Sequence, residues 1–251
     1  GRDRDDGEAP AVPAKHGLEL RVAAVLLLTL PPAAARAELA LSATLASDWR
    51  YRGVSFSDGR PSLGLTASYD HRSGLYASVM GLAADTRHDG VQALGYQAYA
   101  GYSTRLKSGA SLDLGVTHAD FETYGAPGGR IVYSEAYAGL SARDVSAHVF
   151  YSPDYLRTGV RTLYVSLDGA RLVGRRVRLF GHAGLIAPLG STPAYGAGGL
   201  DARYDLRAGA AVRRGPLEFQ LAWSHLGPGR GYRPDAGRRR DALIAAATWA
   251  F

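Results

Sequence analysis

From Glu38 onward, apolar and polar side chains alternate with a period of two, the repeat of a strand whose two faces meet different surroundings. In ELALSATLASDWRYRG, Leu39, Leu41, Ala43, Leu45, Trp49 and Tyr51 fall on one face, and Ser42, Thr44, Asp48, Arg50 and Arg52 on the other. The same alternation returns in PSLGLTASYD, LGYQAYAGYSTRL, SLDLGVTHA, VSAHVFY, RVRLFGHAGL, YDLRAGAAV and LEFQLAWS. Segments 75–84, 131–140 and 162–171 alternate less cleanly, and 241–251 supplies a last strand. The pattern predicts 12 strands.

Connector lengths alternate as well. HRSG, KSG, SARD, VGRR and RRGP suit tight turns, whereas 53–60, 85–93, 120–130, 153–161, 187–202 and 226–240 are long. Long loops on one rim and short turns on the other, around an even number of strands of about 9–11 residues, predict a transmembrane antiparallel β-barrel. In hydrocarbon every backbone N–H and C=O must pair within the protein, so the sheet must close on itself. A soluble lipocalin-like barrel would need a polar exterior, and a soluble β-sandwich large inward residues. Neither suits a polar face that carries charges on most strands.

The N-terminal stretch assigns a compartment. Arg21 precedes the apolar run Val22 to Leu30, and Ala35-Arg36-Ala37 has the small-x-small form of a secretory cleavage site. The expected organisation is a polar leader over 1–17, a signal peptide over 18–37 and a barrel over 38–251 in a bacterial outer membrane, with short periplasmic turns and long extracellular loops. The run is too short to cross a membrane as a helix. The sequence has no cysteine, which excludes disulfides and thiolate metal sites without deciding the compartment.

Within that frame SDWRYRGVSFSDGRP, Ser47 to Pro61, resembles the first-hairpin motif of the TorF-type porin family, a Gcw_chp-like family of bacterial outer-membrane barrels. Ser47, Asp48, Arg52, Gly53, Ser55, Asp58, Gly59 and Pro61 fit the pattern, while Trp49 stands where Tyr is expected and Phe56 where a polar residue is usual. YAGY (Tyr99 to Tyr102) and SPDY (Ser152 to Tyr155) resemble later family stretches. The resemblance implies a porin-type barrel and supplies neither a substrate nor catalytic residues.

The expected function is passive diffusion of small hydrophilic solutes through a narrow charged lumen; a non-conducting barrel that acts through its long loops is the alternative. Asp48, Arg50, Arg52, Arg105, Asp113, Arg178 and Arg207 are the expected pore-lining residues. The first three share one strand face and would form either a charge filter or a ladder of ion pairs. The inward face is mixed, because Asp70, Glu135, Asp168, Asp205 and Glu218 lie on it too. The net charge of +6 is carried largely by loops, notably Arg230, Arg233, Arg238, Arg239 and Arg240, which suit lipopolysaccharide phosphates or simple solvation. Arginines dispersed over many elements argue against nucleic-acid binding.

No cofactor or metal is expected, and the GAGG run at 196–199 precedes no helix. His118, His148, His182 and His225 are dispersed, and neither a G-x-S-x-G elbow nor an H-E-x-x-H motif occurs, so the expectation is no enzyme. Ser146 and His148 share a face in the manner of a chance pair. In the last strand Leu243, Ala245, Ala247, Trp249 and Phe251 are expected to face lipid. Trp249 and Phe251 would sit at the periplasmic interface as an aromatic signal for the barrel-assembly machinery.

Overall fold

The computed structural model describes residues 38–86, 89–122, 130–156, 158–190, 201–229 and 240–251, which contain strands and turns and no helix. The strands are β1 (Glu38–Ala46), β2 (Arg50–Tyr51), β3 (Val54–Ser55), β4 (Ser62–Asp70), β5 (Leu75–Thr86), β6 (Gly90–Arg105) and β7 (Ser111–Glu122). They continue as β8 (Arg130–Ala142), β9 (Val145–Ser152), β10 (Thr162–Val173), β11 (Val177–Pro188), β12 (Arg203–Arg214), β13 (Leu217–Leu226) and β14 (Asp241–Ala250). All but β2 and β3 form one closed antiparallel barrel in chain order, so the wall has the expected 12 strands. β1 closes the ring by pairing with β14 from Ser42↔Ala250 to Ala46↔Ala246.

The outer face is apolar. Leu39, Leu41, Leu45, Leu65, Leu114, Val116, Leu167, Leu221 and Leu243 are all exposed, as side chains facing hydrocarbon must be. Exposed aromatic residues ring both ends: Tyr69, Tyr102 and Trp249 at the short-turn rim, and Tyr151, Tyr204 and Trp223 at the long-loop rim. This apolar band and its girdles identify a membrane-spanning wall.

β6 departs from the alternation read in the sequence. Gly95 has φ of 140°, and the β5–β6 register shifts between Leu82 and Ala83. A bulge inserts one residue and flips the faces on either side of it. Leu94, which strict alternation places on the lipid face with Tyr96 and Tyr102, is therefore buried inside the barrel, while Val91 faces out.

The hydrophobic core lies inside the barrel, in its long-loop half. Met80, Leu82, Leu94, Phe121, Ile131, Phe150, Tyr164 and Ile186 point inward from the wall and pack with Trp49 and Phe56. The short-turn half is lined instead by half-buried polar positions such as Ser42, Ser68, Ser78, Ser103 and Gln220. The lumen is a polar vestibule at one end and a packed core at the other. Barrels of about eight strands are filled by side chains and those of about sixteen hold a channel. Here the 12-strand wall holds both arrangements in series.

The candidate functional site: a plug in the lumen

The segment between β1 and β4 fills the long-loop half. The sequence reading carried the first strand through Arg52, with Trp49 and Tyr51 on the lipid face and Asp48, Arg50 and Arg52 side by side in the lumen. The structure corrects this. β1 ends at Ala46, Ser47 anchors to β14 by hydrogen bonds with the Ala245 backbone (2.9 and 3.0 Å), and the chain turns into the barrel.

Asp48 is the reason. Its carboxylate accepts from Arg50 Nε (2.6 Å), Ser55 Oγ (2.5 Å), Ser57 Oγ (3.2 Å) and the Gly59 backbone N–H (3.2 Å). A carboxylate that satisfies its own neighbours competes with the strand ladder and curls the chain. Arg52 (φ 49°) and Gly53 (φ 74°) then make a two-residue turn with both φ positive, the tight turn that joins β2 to β3. The motif residues Asp48, Gly53, Ser55 and Gly59 thus fold a hairpin rather than line a pore.

The hairpin crosses the lumen. Trp49 lies against Gly64 and Met80 near one wall, and the backbone at Gly53 approaches Asp205 and Leu226 on another. Gly64 matters because any side chain there would overlap the Trp49 ring. The Phe56 ring packs at a tilt against Phe121, with the ring centres 4.8 Å apart.

Arg52 reaches the third side. Its Nη1 and Nη2 donate to the two carboxylate oxygens of Glu135 at 2.8 and 2.6 Å, and both side chains are almost fully buried (4% and 1% exposed). The guanidinium carbon lies 3.8 Å from the centre of the Tyr164 ring, 5.2 Å from Phe150 and 5.7 Å from Tyr133.

The other expected pore residues are distributed through the vestibule. Asp113 accepts from Tyr76 Oη at 2.7 Å and lies 3.7 Å from His148 Nε2. Arg178 pairs with Glu218 at 2.5 Å. Both Arg178 and Arg207 lie over the Phe180 ring, at 5.6 and 5.8 Å, and Arg207 Nε is buried without a hydrogen-bond partner. Arg105 is exposed at the short-turn rim, opposite Ser111. The seven residues therefore form two groups, three folded into the plug and four at or below it.

His182 sits between Asp168 (2.7 Å) and Asp205 (2.9 Å), so it serves as a strut between three strands. Ser146 Oγ has no hydrogen-bond partner among the described residues, His148 included. His118 bonds Ser134 and His225 bonds Asp241, both at 2.9 Å near the long-loop rim. Trp249 stacks with Phe251 at 5.4 Å on the outer face of the short-turn rim. The leader and signal segments, the GAGG run and Arg230, Arg233, Arg238 and Arg239 lie outside the described residues.

Glu135 and the aromatic residues around Arg52 were absent from the expected site. A signal for them was present: segments 131–140 and 162–171 alternate poorly because Ile131, Tyr133, Tyr137 and Tyr164 make their inward faces apolar too.

A closed antiparallel barrel with an apolar outer belt, aromatic girdles and unequal rims defines an outer-membrane β-barrel. A family model described as a bacterial protein of unknown function (Gcw_chp) matches residues 32–224, and the chain belongs to that family. Among solved structures it is similar to the NanC porin (TM-score 0.52, 10% identity, covering 84% of this chain and 98% of that one). It also matches the KdgM porin (TM-score 0.49, 10% identity, 84% and 99%) and the translocator domain of the autotransporter NalP from Neisseria meningitidis (TM-score 0.43, 13% identity, 85% and 88%). No curated protein sequence matches.

Proposed function

We propose that the protein is an outer-membrane channel for small hydrophilic solutes, closed at rest by residues 47–61. One observation carries this reading. Between its end residues Ser47 and Pro61, the segment that occupies the long-loop half of the lumen is outside the wall's hydrogen-bond ladder, and below it lies a half-exposed polar vestibule. A barrel that needed only to be solid could fill both halves from its wall. Arg105, Asp113, Arg178 and Arg207 would then sort solutes by charge in the vestibule.

Ala46 and Ser62 are directly paired across β1 and β4, so residues 47–61 can be replaced by a two-residue Asn-Gly turn without opening the wall. In planar bilayers the native protein should conduct little, and the turn variant should conduct several-fold more. Equal, negligible conductance of both would sink the channel and favour the second reading, a non-conducting barrel acting through its loops, which the packed core supports.

Passive passage involves no chemistry, so His148→Ala and Ser146→Ala should leave lipid-hydrolysis assays at background. Lipopolysaccharide at the long-loop rim and the barrel-assembly machinery, engaged through Trp249 and Phe251, are the partners we propose. Replacing both aromatic residues with Ala should slow membrane assembly; assembly at the native rate would remove that role.

A further inference from the structure

The plug and the wall differ in what they own around Arg52. Glu135 and Tyr133 are on β8, Phe150 is on β9 and Tyr164 on β10, three adjacent strands of the ladder, with Phe150 and Tyr164 directly paired. These four side chains form a recess that remains on the wall wherever the hairpin goes. Arg52 belongs to the hairpin, whose strands β2 and β3 pair only with each other.

The recess is built for one kind of guest. A carboxylate with both oxygens aimed inward matches the fork of a guanidinium, and ring faces at 3.8 to 5.7 Å attract a delocalised cation. A compact, strongly hydrated ion such as potassium gains less from either feature. When the hairpin withdraws, a buried carboxylate loses its ion pair with Arg52, and its site opens to the lumen.

We propose that Glu135, Tyr133, Phe150 and Tyr164 form a subsite for solutes that carry a guanidinium group, and that Arg52 is a tethered occupant of it. The inference rests on the channel reading and names the solute class for which the lumen is built. Tethering gives Arg52 an effective concentration in the millimolar range or above, so a free solute reaches the subsite only when the hairpin is unseated. The same group that closes the lumen therefore keeps its recognition site masked.

Methylguanidinium chloride is a suitable probe, with potassium chloride at equal ionic strength as its control. Titrated into the Arg52→Ala protein in detergent micelles, it should raise the thermal midpoint saturably, as a ligand of the native state does. The native protein, its recess filled, should not respond. Adding Glu135→Gln should weaken the effect at least about tenfold, the loss expected when a charge-assisted pair becomes neutral. Should Arg52→Ala fail to fold, the Asn-Gly turn variant presents the same empty recess to the same titration. No saturable response, a response that ignores Glu135→Gln, or an equal response to potassium would each overturn the subsite.

The channel reading fails separately. If the turn variant is insulating yet binds methylguanidinium through Glu135, the subsite stands and the channel falls. If it conducts and methylguanidinium neither binds nor reduces its potassium current, the subsite falls and the channel stands.

Discussion

Arg52 shows how one residue can be strained and stabilised together. Its left-handed φ of 49° costs an L-residue roughly 1–2 kcal/mol, and a guanidinium desolvated among aromatic faces recovers about 2 kcal/mol or more. The bidentate bond to Glu135 adds to this and explains why lysine would not serve as well. Arg52→Ala should lower unfolding stability by about 3–5 kcal/mol, because it leaves Glu135 buried without its partner. The Arg52→Ala/Glu135→Gln double variant should lose less than the sum of the two singles, a coupling that denaturant titration in micelles would measure. At Gly64 the argument is steric: Gly64→Val should unseat Trp49 and raise conductance while leaving the strand pairing intact.

At the scale of elements, alternation had a clear meaning wherever the two faces met different solvents. β1, β4, β7 and β14 were legible because lipid lies on one side and a wet or small-residue lumen on the other. β5, β8 and β10 read poorly because their inward residues, Met80, Leu82, Tyr133 and Tyr164 among them, belong to the packed core. Leu65 in β4 and Ser42 in β1 test the distinction. Leu65→Arg puts a charge in hydrocarbon and should cost about 2–4 kcal/mol in equilibrium folding into bilayers. Ser42→Arg, on the vestibule face, should change stability little.

For the molecule as a whole, closure and filling are separable. Every wall strand has two neighbours in the ladder, and the plug joins the wall's backbone bonding only at its two ends, where Ser47 bonds the Ala245 backbone and the Pro61 carbonyl accepts from the Asp85 N–H. Replacing 47–61 by a tight turn should therefore lower the temperature at which the barrel loses its compact gel mobility without abolishing that mobility. Loss of the folded band at room temperature would mean that the hairpin is needed to form the wall. The charges follow the same division. Arg50 with Asp48, Arg52 with Glu135 and Arg178 with Glu218 neutralise one another within the barrel.

The sequence by itself determined the wall: the strand count, the unequal rims, the membrane class and the lipid-facing set apart from Trp49, Tyr51 and Leu94. These follow from a period-two pattern and from the rule that a sheet in lipid must close, both of which are local or generic constraints. What only the tertiary structure decided is where SDWRYRGVSFSDGRP goes. Its first residues continue the alternation of β1, and nothing in the period distinguishes a strand from a hairpin stabilised by one carboxylate. The choice depends on Glu135, Tyr133, Phe150 and Tyr164, some 80 to 110 positions away in the chain. Their contact with Arg52 exists only once the barrel has closed around it.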